Sequence, residues 1–224
     1  MNIRELQAAL GIRTDGVRGP VTTAEILKAA DDGRLSAVAR VPAPVTGAAT
    51  VKESLTAEIT RPKLPWIDEG RKVYGLHEVK DNAALRKWLI SDNKTLGDPA
   101  ALPWCGDFVE TCIKRALPAE PFVGAMAVNP YWARNWGTFG EACEPSYGCI
   151  VVFERGPSSG HVGFAIGQDA THFFVLGGNQ GDRVGIAPIA KDRLLASRWP
   201  MTWPNDPGPL PAMVMGTMGK VREF

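Results

Sequence analysis

Four cysteines and three histidines are the residues in this chain that could carry nucleophilic chemistry, and their surroundings differ. In LPWCGDFVETCIKRA, Pro103 stops any preceding helix and Cys105 stands where a new one begins. It lies one turn ahead of an apolar stripe formed by Phe108, Val109, Cys112, Ile113 and Ala116. A helix start sets unsatisfied N–H groups and partial positive charge beside the sulfur, which favours thiolate and can hold a developing oxyanion. Gly106 leaves room for a substrate carbonyl to approach. The alternative for Cys105 is a small buried hydrophobe. Cys112 falls deeper in the same stripe, while Cys143 and Cys149 have no neighbouring base in sequence, so these three read as structural. None of the spacings matches the short cysteine hooks of structural zinc sites, so no metal and no other cofactor is expected.

The base suited to Cys105 is His161. In SSGHVGFAIG, strand alternation puts His161, Gly163 and Ala165 on one face and Val162, Phe164 and Ile166 on the other. Small residues beside His161 predict that the Cys105 helix lies close to that face, as a thiol–imidazole hydrogen bond requires. The alternative is a satisfied sheet histidine. A three-residue hairpin loop at Asp169, Ala170 and Thr171 places Asn179 opposite His161, where its amide oxygen accepts the imidazole N–H and fixes the tautomer. A loop one residue longer turns Asn179 away. His172 at the hairpin tip and His77 near a helix end read as surface residues.

The elements that must position these groups indicate an α+β protein. Helical periodicity covers residues 66–74, 83–90 and 105–116, and the period then changes to short strands, CIVVFE, HVGFAI, FFVL and VGIAPI, close enough to pair as an antiparallel meander. Composition divides the chain into a small helical unit (residues 1–38), a linker rich in Ala, Val, Thr and Pro (39–65), the main domain (66–200) and a Pro- and Gly-rich tail (201–224) that covers the domain loosely or is disordered.

The formal net charge over 224 residues is +1, which provides no broad basic field for nucleic acid or an anionic membrane. No apolar run approaches the roughly 18 residues of a membrane span. The N-terminal MNIRELQAALG has no basic segment followed by a long apolar one. The chain is therefore expected to be made in a cytoplasm, with reduced thiols and no membrane insertion, and to reach its target by a separate route.

On these motifs, residues 65–200 resemble the CHAP and NlpC-type amidase and peptidase families, papain-like cysteine hydrolases that cut bacterial peptidoglycan. PWCGDFV resembles the nucleophile motif, GCIVVFERG followed by SSGHVGF resembles the strand–loop–histidine motif, and VLGGNQ resembles the segment carrying the third polar residue. A phage-associated subgroup also has a Gly-x-x-Glu stretch like Gly75 to Glu78 and an Ala-Arg-x-Trp stretch like Ala133 to Trp136. Two positions depart from the common pattern: Gly177 stands where many members have glutamate, and Cys149 follows Gly148 where aspartate is frequent. The N-terminal unit is similar to half of a helical peptidoglycan-binding domain, on LQAALG, Asp15, Gly16, Gly19, Pro20 and Thr22. An ordinary helix–turn–helix pair is the alternative.

The resemblance implies a papain-like cysteine hydrolase domain, helices packed on an antiparallel sheet, preceded by a small helical domain. Cys105 would be the nucleophile, His161 the base and Asn179 its orienter. Trp104, Asp107, Trp132 and Gln180 are candidate substrate contacts, with Asp107 alternatively an exposed first-turn acid. Asp15, Gly16, Gly19 and Thr22 are candidates for holding the wall. The implied activity is that of a monomeric endolysin, made without a signal peptide and acting on the cell wall after release. It would cleave an amide of the peptidoglycan stem peptide or its link to muramic acid. A toxin effector with the same chemistry and a wall-binding protein with an inert thiol remain alternatives.

Overall fold

The computed structural model describes residues 63–204 and 208–213. The N-terminal unit expected at 1–38, with Asp15, Gly16, Gly19 and Thr22, lies outside the described residues, as does nearly all of the expected linker. Helix α1 (Pro65–Lys72) opens on a proline, whose fixed φ and missing N–H suit a first helical position. Asp68 in its first turn and Arg71 and Lys72 in its last match the helix dipole. Helices α2 (Asn82–Leu89), α3 (Cys105–Ala116) and α4 (Ala125–Val128) follow, with a 3-10 turn at Ala133–Thr138.

Six strands come next: β1 (Glu141–Ala142), β2 (Ile150–Glu154), β3 (Gly160–Gln168), β4 (His172–Gly177), β5 (Gly185–Ala190) and β6 (Leu194–Trp199). They form one antiparallel sheet in the order β1-β6-β2-β3-β4-β5, and the architecture is α+β. The expected meander is present in β2 to β5. The chain then returns across the sheet, and β6 inserts between β1 and β2, so that Ala142 and Ile150 both pair with Arg198.

The helices meet the sheet through α1 and α3. Gly70 lets them close, because a Cβ there would stand 2.9 Å from Phe108 Cζ and 3.3 Å from Leu176 Cδ2. Phe108 of α3 packs on Phe164 of β3 with ring centroids 6.2 Å apart. The sheet face carrying Phe164 thus meets the body of the helix, while Cys105 at the helix start reaches His161 at the start of β3, as expected. Gly163 is small for another reason: a Cβ there would stand 2.5 Å from Val175 Cγ1 on the neighbouring strand.

The tail departs from expectation over its described part. Glu120, buried, accepts hydrogen bonds from the Met201 and Thr202 backbone N–H groups at 2.8 and 2.9 Å. Trp203 packs edge-on against Trp66 at 5.5 Å, and Ala212 pairs with Gln168 beside the β3–β4 hairpin. Residues 201–204 and 208–213 are therefore docked on the domain. Among the described residues no helix is long and apolar enough to cross a membrane.

Candidate active site

Cys105 is the first residue of α3, buried, with Trp104 as the preceding cap. Burial pushes its thiol up, but a hydrogen bond to His161, the imidazole charge, the Val162 backbone N–H and the Arg155 charge outweigh that and hold it below the ordinary thiol value. The thiol is thus poised by a specific partner. Cys112, fully buried in the same helix, is pushed well above the ordinary value, first by burial and then by the charge of Glu69.

His161 is wholly buried, and its Nε2 lies 3.0 Å from Gln180 Oε1. The amide NH2 of Gln180 donates to three carbonyl oxygens, those of Val175 at 3.0 Å, Gly177 at 3.4 Å and Gly185 at 2.7 Å. With its donors so engaged, the amide must present oxygen to the imidazole, so Nε2 carries the proton and Nδ1 is left as the nitrogen able to take one from sulfur. Gly177 makes this possible, since a Cβ there would stand 3.2 Å from Gln180 Cδ and Oε1.

Asn179 is not the orienter. Near His161 the β3–β4 register is the expected one, with Phe164 opposite Leu176 and Ala165 opposite Val175, but it arises differently. The tip pairs Gln168 with Phe173, and an irregularity between Ala165 and Gly167 restores the register. Strand β4 then ends at Gly177, and Asn179 takes a left-handed φ of 56° in the following turn. The residue lies past the end of the strand and lines the cleft. The register argument carried past the end of the strand to which it applied.

Asp107 is buried rather than exposed and does not line the cleft. Its Oδ2 accepts from the Thr95 hydroxyl and the Leu96 N–H, both at 2.9 Å, clamping the loop before α3. Burial raises its pKa to about 6 against those hydrogen bonds. One turn on, Glu110 is also buried. Burial first, then a hydrogen bond and charge from Asp92, and then the charge of Asp107, push its pKa up to about 9, while Lys114 opposes them. Two carboxyls hydrogen-bond side by side only when one carries a proton. The folded state therefore binds more protons than the unfolded chain between about pH 4.3 and 9, and stability falls as pH rises through that window. Glu110→Gln keeps a donor toward Asp92 at every pH. It should flatten this decline and raise Tm at pH 8 by about 3–8 °C; calorimetry across pH checks it.

Cys105 opens onto a cleft of about 800 Å³. Leu96 and the Pro99–Pro103 loop form an apolar wall, and Tyr131 and half-exposed Trp132 form part of another. Burial, followed by the charges of Glu110, Asp107 and Asp92, raises the Tyr131 phenol to about 12, so it remains a hydrogen-bond donor. Trp104 and Trp136 are buried and take no part in the lining. The Trp104 indole N–H donates to Glu78 Oε2 at 2.7 Å and its ring covers Gly178, so it is a packing residue behind Cys105.

Gly106 also plays a different part from the one expected. A Cβ there would stand 2.2 Å from Tyr131 O, so the glycine admits the Tyr131 backbone, not a substrate carbonyl. Gly106→Ala should push out the Tyr131–Trp132 wall at a cost of about 1–3 kcal/mol, visible as a lower Tm.

His77 sits half-buried in a bridge with Arg183, and His172 is half-buried at the hairpin. Neither reaches the cleft. Gln180, expected to contact substrate, is wholly buried behind His161. No family model, no curated protein and no solved structure matches the chain.

Proposed function

We propose that this chain hydrolyses amide bonds of bacterial peptidoglycan through Cys105, in a papain-like domain that acts on the cell wall after release from the cytoplasm. The observation that carries the reading is the row of thiol, imidazole and amide: a helix-start cysteine held by His161, which is oriented in turn by Gln180. This is the arrangement of an activated nucleophile, its base and the group that fixes the base's tautomer. The side-by-side packing of α3 and an antiparallel sheet supports the papain-like assignment, and so do the motifs around all three residues.

In this mechanism His161 Nδ1 takes the thiol proton and the sulfur attacks the amide carbonyl carbon. The Cys105 N–H and the helix start stabilise the oxyanion. The C–N bond breaks as His161 returns the proton to the leaving amine, leaving a thioester. Water, deprotonated by His161, attacks the thioester carbon and releases the acid and the free thiol.

Purified sacculi incubated with the protein should gain free amino groups without new reducing sugar ends, and mass spectrometry of the products identifies the amide. Binding to sacculi without new amines would instead establish a wall-binding protein with an inert thiol.

A further inference from the structure

Among the described residues lining the cleft, Glu78 and Arg155 are the only two with formal charges, one of each sign. They come from separate segments and form no ion pair with each other. Arg155 lies in the β2–β3 loop, where its N–H donates to Ser159 O and Arg134 braces the loop through the carbonyls of Gly156 and Ser159. Its guanidinium has no hydrogen-bond or ion-pair partner among the described residues, and its charge reaches Cys105. Glu78 is fixed at its backbone by Asp182 O, and its Oε2 accepts the Trp104 indole N–H. That leaves Oε1 for a ligand. Nearby charges are engaged elsewhere: Arg134 pairs with Glu154, Asp98 with Arg86, and Asp107 turns inward to Thr95 and Leu96.

We propose that Glu78 and Arg155 select a zwitterionic peptide, Arg155 taking a free carboxylate and Glu78 a free ammonium group on residues flanking the scissile amide. This rests on the amide hydrolysis proposed above and narrows it to an amide within the stem peptide that has both charges beside it. The link to the uncharged lactyl group of muramic acid lacks that pattern. The Glu78 side chain is held by Trp104 and Arg155 by its backbone before a ligand arrives, so ordering on binding is confined to the guanidinium arm, and the remaining wall is apolar or neutral.

The test uses a synthetic stem-type peptide carrying one free carboxylate and one free amine around its amide. Three copies accompany it, with the carboxylate amidated, the amine acetylated, or both. Arg155→Gln and Glu78→Gln remove one charge each, and the amide oxygen in Glu78→Gln still accepts from Trp104. On the charged peptide each variant should raise KM about 10–100-fold, and Arg155→Gln should in addition lower kcat by one common factor on every peptide, because its charge helps hold the Cys105 thiol low. Arg155→Gln should leave KM unchanged on the amidated copy, and Glu78→Gln should leave it unchanged on the acetylated one. An equal rise in KM on all four peptides overturns the proposal. Calorimetric binding to Cys105→Ala separates it from the parent reading. Binding that blocking weakens, without hydrolysis by the native protein, upholds the charge selection and sinks the hydrolase; binding indifferent to blocking sinks the selection.

Discussion

Cys105→Ala is expected to abolish amide release from sacculi, with a loss of at least about a thousandfold, while Tm stays within a degree or two of the native value. The side chain removed is small and sits at the first position of α3, so its absence opens little space. His161→Ala should cost a similar factor for a different reason, and alkylation distinguishes the two. In the native protein the His161 hydrogen bond and charge overcome burial and keep the Cys105 thiol low, so iodoacetamide should modify it below about pH 8.5. Without the imidazole, burial remains the largest influence, and the reactive window should move above that pH. Full lysis by Cys105→Ala would end the nucleophile assignment.

The second large effect separates two neighbouring residues. Gln180→Leu removes the acceptor for His161 Nε2 and three hydrogen bonds to backbone carbonyls, and should lower kcat about a hundredfold with an altered pH profile. Asn179→Gly suits the left-handed backbone at that position and removes only a cleft-lining amide, so its loss should stay below about threefold. Melting curves of both variants accompany the kinetics. A greater loss from Asn179→Gly than from Gln180→Leu in folded protein would restore the register-based assignment.

The pairing of Cys105 with His161 was legible because the signals are local. Pro103 and the 3.6-residue stripe mark the start of α3, and SSGHVGFAIG alternates plainly as a strand. The hairpin loop and register also followed from turn chemistry, although the irregularity after Ala165 was needed to reconcile them. Gln180 escaped because a long side chain folding back beneath a strand leaves no periodic trace. The available hint was the Gly177–Gly178 pair, a strand terminator that ends the ladder before residue 179. Burial of Asp107 and Glu110 was hidden for a related reason: charge marks a helix surface by default, and only the packed loop at residues 92–96 reverses that. Strand β6 was missed because LLASRW has no clean alternation and pairs with segments some fifty residues earlier.

The cluster of Trp66, Trp199 and Trp203 has a mechanical consequence. Trp66 lies in α1 and Trp203 just past β6, and their rings touch edge to edge, with Trp199 5.4 Å from Trp66, while the chain beyond them docks again through residues 208–213. Pulled from its C-terminal side, the domain should first lose the bonds between Gln168 and residues 211–213 and then this knot of three indoles, with the thiol site still intact behind them.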